Sequence, residues 1–309
     1  MSGVELRLYT HPACLAHDTG EGHPERPARL NAVLDALAAR FPELAPRQAP
    51  RAERDALLRV HAPELLAAVL ETQPGADLHW LDPDTALSPG SAEAALRAAG
   101  AVVAATDWVM DGERRRAFCA VRPPGHHAEP ATAMGFCLFD NVAVAAAHAF
   151  AAHGLQRIAI ADFDVHHGNG TQAIFEREPR LLFVDSHQMP LYPGTGAASE
   201  NGVGNIANAP YPPLSNGADV RALWQQALLP RLEAFAPQLM FVSAGFDAHR
   251  DDPLAQGLLD ADDFAWITTR LVAVAERHAH GRIVSTLEGG YDLAALAASA
   301  VAHVGALRD

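Results

Sequence analysis

Cysteine is nearly absent: Cys14, Cys119 and Cys137 are the whole complement, and no two of them have CxxC spacing. An odd, scattered set supports neither a disulfide framework nor a thiolate zinc knot, so the plainer expectation is small buried apolar side chains. Aromatic residues make up only 6% of the chain, and alanine carries much of a 49% hydrophobic content in the ordinary range for globular proteins. Positive charge is also short, with 23 Lys and Arg against 37 Asp and Glu and a formal net charge of −14. That balance offers no general field for nucleic acid or an anionic membrane surface; a cationic substrate suits it better. No run of about 18 apolar residues exists to span a bilayer, and the opening residues MSGVELRLYTHPACLAH lack the basic start and apolar run of a secretory signal. A cytoplasmic protein without membrane or nucleic-acid partners is therefore expected.

What is present is a rhythm. From about residue 89 onward, apolar runs of strand length alternate with helical stretches, the pattern of βα units closing a mostly parallel sheet. Strands are predicted at Glu5 to Tyr9, Phe118 to Val121, Arg157 to Asp162, Leu181 to Asp185, Leu239 to Ser243 and Ile283 to Thr286. Helices are predicted at Ser91 to Met110, Asn141 to Ala152, Ala218 to Phe235, Asp262 to His280 and Leu293 to Leu307. The segment from Tyr192 to Gly217, rich in Gly, Asn and Pro, reads as an ordered surface loop. No repeat, low-complexity tract or break in composition divides the 309 residues. One α/β domain over residues 1–309 is the simplest organisation.

The chemistry collects where these strands end. The run DFDVHHGNG follows the third predicted strand, and its Asp164 and His166, two apart, project from one side of an extended chain. A second strand runs into SAGFDAH and Asp247; the carboxyl ends of parallel strands are where ligand sites form. Asp, His and Asp would make an open, nearly charge-neutral site for one catalytic zinc. Each residue alone has the ordinary alternative of a cap or loop hydrogen bonder. Four titratable groups in a run of nine are costly to desolvate unless something pairs them.

Two further strand ends add complementary groups. VRPPGHHAEP holds His126 and His127 side by side in a turn stiffened by prolines, and imidazole can serve as base and then acid near neutral pH. TLEGGYDL places Tyr291 after two glycines, where a phenol could hydrogen-bond a developing oxyanion.

Together, GHPERPARL, LDPDTALSPGSAEAALRAAGA, RPPGHHA, MGFCLFDN, DFDVHHGNGTQ, YPGTG, SAGFDAHRDDP and LEGGYDL resemble, in order and over nearly the whole chain, the histone deacetylase and acetylpolyamine amidohydrolase family, in its bacterial and class II branch. The resemblance implies the arginase-like α/β fold and one zinc ion on Asp164, His166 and Asp247, with Fe2+ as an alternative. It makes Tyr291 the carbonyl-polarising phenol, His127 the general base and acid, and His126 its electrostatic partner. Asp162 and Asn169 would orient His126 and His127, Asn169 being the class II form of a position that is aspartate in class I. Phe136 and Tyr192 match the walls of an acyl-lysine tunnel, with Gly135 beside them, and Arg29 matches an arginine lining a product channel. A structural K+ or Na+ site is implied at Asp162 with main-chain oxygens of Asp164, His166 and Ser186; Asp185 stands there where many relatives have serine.

The same resemblance implies a deacylase releasing amine and carboxylate from acyl-lysine or from a small acylamine such as an acetylpolyamine. Polyamine-selective relatives carry a gatekeeping glutamate where this chain has Leu254, which favours acetyl-lysine. Asp82 and Asp84 in LDPDT are candidates for holding a peptide backbone or a cationic group at the rim. Two rivals are a dinuclear manganese ureohydrolase, which needs DxHxD-type runs where this chain has Val165 and Gly168, and a non-catalytic acyl-lysine binder. No oligomeric state follows from the sequence.

Overall fold

The computed structural model describes residues 3–75 and 77–309. Its strands are β1 (Glu5–Thr10), β2 (Arg47–Gln48), β3 (His79–Asp82), β4 (Thr85–Leu87), β5 (Arg115–Cys119), β6 (Ile158–Asp162), β7 (Leu181–Asp185), β8 (Ile206–Asn208), β9 (Leu239–Ala244) and β10 (Ile283–Leu287). The helices are α1 (Pro27–Arg40), α2 (Arg54–Leu57), α3 (Pro63–Leu70), α4 (Ser91–Met110), α5 (Asn141–His153), α6 (Asn169–Phe175), α7 (Gly217–Leu223), α8 (Leu229–Phe235), α9 (Ala261–His278) and α10 (Leu293–Arg308). Eight strands form one sheet in the order β2-β1-β5-β10-β9-β6-β7-β8, and every neighbouring pair in it is parallel. The pair β3 and β4 forms a small antiparallel hairpin.

Every residue of β6, β7, β9 and β10 is buried, which explains why these strands read as unbroken apolar runs rather than alternating ones. Helices α4 and α10 both pack on β1 and β5. Because all eight strands run the same way, their carboxyl ends share one edge, and the loops leaving β5, β6, β9 and β10 meet there. Side-chain caps set the helix starts that follow: Asp140 Oδ1 accepts from Ala143 N–H at 2.9 Å on α5, and Asp292 caps α10 in the same way.

Several expectations are corrected. The Tyr192–Gly217 segment is not all loop, since Ile206–Asn208 pairs with β7 as the edge strand β8; three residues are too few to register as a strand pattern. The predicted helix over 218–235 is α7 and α8 joined by a π-helical turn at Trp224–Leu228. Pro230 cannot donate a main-chain hydrogen bond, and the wider turn just before it absorbs the mismatch. Strand β5 leaves the ladder at Cys119, two residues before the end of its apolar run, so buried Ala120 and Val121 lead into the histidine loop instead.

His303 on α10 sits in the core between Thr268 Oγ1 of α9 (2.6 Å from Nδ1) and Ser285 Oγ of β10 (2.8 Å from Nε2). Burial lowers its pKa from 6.5 to about 3, so the native state holds it neutral while the unfolded chain protonates near pH 6.5. A depressed folded value contributes stability that is complete above pH 6.5 and drains as the pH falls toward about 3. His303→Gln should therefore be destabilised at neutral pH, with the gap to wild type closing by about 1.4 kcal/mol per pH unit below about pH 6.5. Urea midpoints of both proteins at pH 7.5 and pH 5 check this, and a gap that stays constant refutes it.

Candidate active site

At the carboxyl edge, the loop after β6 turns Asp164 and His166 toward Asp247, which follows β9. Their ligand atoms lie within 4.8 Å of one another, and all three residues are buried. His166 Nδ1 is 3.0 Å from Asp164 Oδ1 and 3.1 Å from Asp247 Oδ2. The other carboxylate oxygens are held by the main chain: Asp164 Oδ2 accepts from Gly289 N–H at 2.8 Å, and Asp247 Oδ1 accepts from Val165 N–H at 2.9 Å. Close approach of the β10 loop demands glycine, because a Cβ at Gly289 would stand 2.0 Å from Asp247 Oδ2. Burial alone would lower the His166 pKa, yet Asp164 and Asp247 raise it to about 10. Two buried carboxylates thus strongly favour positive charge at the point they share, and an Asp–His–Asp donor set fits a divalent cation there.

The histidine pair after β5 stands against this cluster with ring centroids 4.0 Å apart. His126 Nδ1 is 2.9 Å from Asp162 Oδ2, and its Nε2 is 3.8 Å from Asp164 Oδ2. Burial opposes its protonation, but Asp162 and Asp164 outweigh burial and raise its pKa well above the ordinary value. For His127 the sign is opposite: burial, then the neighbouring His126 and His166, push it well below. His127 Nδ1 lies 2.8 Å from the Asn169 side-chain oxygen, and the Asn169 amide in turn donates to Glu129 at 2.9 Å. A neutral imidazole anchored through Nδ1–H keeps its acceptor at Nε2. Two chemically identical side chains are thereby driven toward opposite protonation states.

Tyr291 lines the same pocket, a cavity of about 190 Å³ bounded by Asp84, His127, Gly135, Phe136, His166, Tyr192, Leu254 and Tyr291. Its main-chain N–H donates to Asp252 Oδ2 at 2.8 Å, and burial raises its phenol pKa well above 10, so it stays a proton donor. Tyr192 meets His127 edge-on at 5.2 Å between centroids, and Phe136 meets Tyr291 at 5.9 Å. Gly135 has φ 56°, and a Cβ there would come within 2.5 Å of the His127 ring. The turn is fastened by two bonds: Gly135 N–H to Asp84 Oδ1 at 3.1 Å and Phe136 N–H to Thr85 Oγ1 at 3.0 Å.

The Gly135–Asp84 contact modifies the expectation for LDPDT. Asp84 borders the pocket, but one oxygen of its carboxylate is committed to the Gly135 turn, while Asp82 Oδ1 accepts from Asp84 N–H at 2.8 Å. Arg29 is fully buried with its guanidinium 4.8 Å from the Tyr291 ring, donating to Gly290 O at 2.6 Å and Glu25 Oε1 at 3.0 Å. Asp162 and Asp185 are register partners on β6 and β7; Asp185 accepts from Gly168 N–H at 2.9 Å, and Ser186 Oγ accepts from Trp224 Nε1–H at 3.0 Å. Sequence reasoning missed Glu129, Asp252 and Glu25. Asp252 acts one contact from the pocket through Tyr291, and Glu129 and Glu25 act one step further out through Asn169 and Arg29, where a lone acid carries no signal of its own.

The histone deacetylase domain profile matches residues 23–307. The chain belongs to the histone deacetylase family. It is 42% identical over 290 residues to the histone deacetylase-like amidohydrolase of Pseudomonas aeruginosa, covering 91% of this chain and 74% of that protein. A probable deacetylase of Archaeoglobus fulgidus is 38% identical over 295 residues, covering 92% of this chain and 80% of the relative. The crystal structure of the HDA15 HD domain superposes with a TM-score of 0.93 at 36% identity, over 99% of this chain and 88% of that one. Histone deacetylase membership carries amide-hydrolysing, deacetylase-type chemistry on acylated amines, in a family that is generally metal-dependent. Among the described residues no helix is long and apolar enough to cross a membrane.

Proposed function

We propose that the protein is a single-metal deacylase that hydrolyses the amide of N-acetyl-lysine-type substrates to free amine and carboxylate. Asp164, His166 and Asp247 would hold one divalent ion, zinc with Fe2+ as the alternative, which when bound supplies Lewis-acid activation of the amide carbonyl and of water. The chain's own groups carry the proton traffic. His127, tethered by Asn169, takes the proton of the attacking water on Nε2 and returns one to the leaving nitrogen. His126, held by Asp162, provides the adjacent positive charge that keeps His127 unprotonated in the resting state. The Tyr291 hydroxyl donates to the carbonyl oxygen as negative charge builds on it.

Phe136 and Tyr192 flank an extended aliphatic stem, with Gly135 and Leu254 completing the wall. Arg29, beneath Tyr291, borders the route by which the carboxylate product leaves. Asp162, with main-chain oxygens of Asp164, His166 and Ser186 and with Asp185 beside it, would hold a structural K+ or Na+, since two buried carboxylates in register favour a cation between them.

One observation carries the reading: three metal donors lie within 4.8 Å of one another, and one of them, His166, lines the same cavity as His127 and Tyr291. Leu254 offers no charge to a polyamine at the rim, so acetyl-lysine peptides should be turned over with higher kcat/KM than acetylated spermidine or putrescine. Steady-state kinetics on zinc-loaded protein across that panel test the substrate; the reverse ranking makes the protein an acylpolyamine hydrolase, and no turnover of either class removes the catalytic reading.

A further inference from the structure

A second set of metal donors lies outside the pocket, where the C-terminal ends of α4 and α5 meet. Asp107 is in the last turn of α4; His148 is on α5, and His153 is its final residue, followed by Gly154 in the left-handed conformation. One oxygen, Asp107 Oδ1, faces two imidazole nitrogens, 2.7 Å from His148 Nε2 and 2.8 Å from His153 Nε2. All three donor atoms lie within 4.8 Å of one another, and the two rings are 5.9 Å apart edge to face.

We propose that Asp107, His148 and His153 form a peripheral site for a divalent transition-metal ion, zinc first, that clamps the ends of α4 and α5. The donor chemistry argues for this class of ion. Two imidazole nitrogens and a carboxylate suit zinc, copper or nickel, whereas calcium and magnesium require oxygen ligands. The local field argues the same way, because both helices direct the negative ends of their dipoles at this corner and Asp107 adds a full charge. Access does not limit binding: Asp107 is half exposed and the histidines are partly exposed, which leaves room for water to complete the coordination. The ordinary alternative, a carboxylate accepting two neutral imidazole N–H bonds, needs no ion and binds none.

This inference does not rest on the proposed catalytic reading, and zinc counting keeps the two apart. Metal-free protein is equilibrated with Zn2+, freed of unbound ion, and its metal content measured by mass spectrometry. Wild type should retain two zinc ions per chain, and His148→Ala/His153→Ala should retain one, as should Asp107→Asn, which preserves the hydrogen-bonding shape but removes the charge. These positions are at the surface, so metal-free variants should melt near wild type. Mg2+ should not displace the second zinc. Equal zinc content in wild type and both variants overturns the peripheral site, whether wild type retains one ion or two. If the two variants lose one zinc while Asp247→Asn loses none, the peripheral site stands and the catalytic metal assignment falls.

Discussion

His127→Ala should lower kcat by about a hundredfold to ten-thousandfold, the usual contribution of a positioned general acid–base. No neighbouring group can take over its role. His126 is held as the cation by Asp162 and Asp164, and the Asn169 amide beside it has no basic site. Tyr291→Phe should cost about a hundredfold to a thousandfold, as expected for removing one donor to a developing oxyanion. The phenylalanine ring keeps its place against Arg29 and Phe136, and its main-chain bond to Asp252 is untouched, so the loss should fall on kcat rather than on melting temperature. Rates on an acetyl-lysine peptide at matched zinc content decide the matter. Near-normal turnover in either folded variant assigns the proton or oxyanion chemistry elsewhere.

Asp247→Asn should abolish turnover together with one equivalent of bound zinc. The carboxylate supplies one of three donors, and it also accepts from Val165 N–H, which orients the β6 loop bearing Asp164 and His166. An amide in its place leaves two donors and one negative charge fewer, which loosens the ion. In wild type, an ion bound only by the folded state raises the melting temperature in proportion to the logarithm of its concentration, and this variant should lose that zinc-dependent rise at the active site. Before metal binds, the effect reverses in sign. Burial and the Asp164 charge both raise the Asp247 pKa, so the metal-free variant should be no less stable than metal-free wild type. Full activity with unchanged zinc content would show that the ion, if needed, sits elsewhere.

Much of the site is legible in the chain because each strand end delivers its groups within a few residues. Asp164 and His166 sit two apart on an extended segment, and His126 and His127 are adjacent. Their partners follow a different logic. Asn169 reaches His127 across 42 residues, Asp84 reaches Gly135 across 51, and Asp252 reaches Tyr291 across 39; such contacts leave no periodicity to read. Short elements were likewise invisible, as with β8, or the β3–β4 hairpin that carries Asp84 and Thr85 to the Gly135 turn.

By itself, the sequence determined the parallel α/β plan and the inventory of chemistry, because apolar runs of strand length and helical stretches follow directly from burial. Only the folded arrangement decided charge state and company. Which of two adjacent histidines stays neutral depends on whether a carboxylate or an amide lies against it, and one carboxylate oxygen between His148 and His153 exists only once α4 and α5 pack. Electrostatic interactions fall off with distance in space, not along the chain, so these properties are set by tertiary contact.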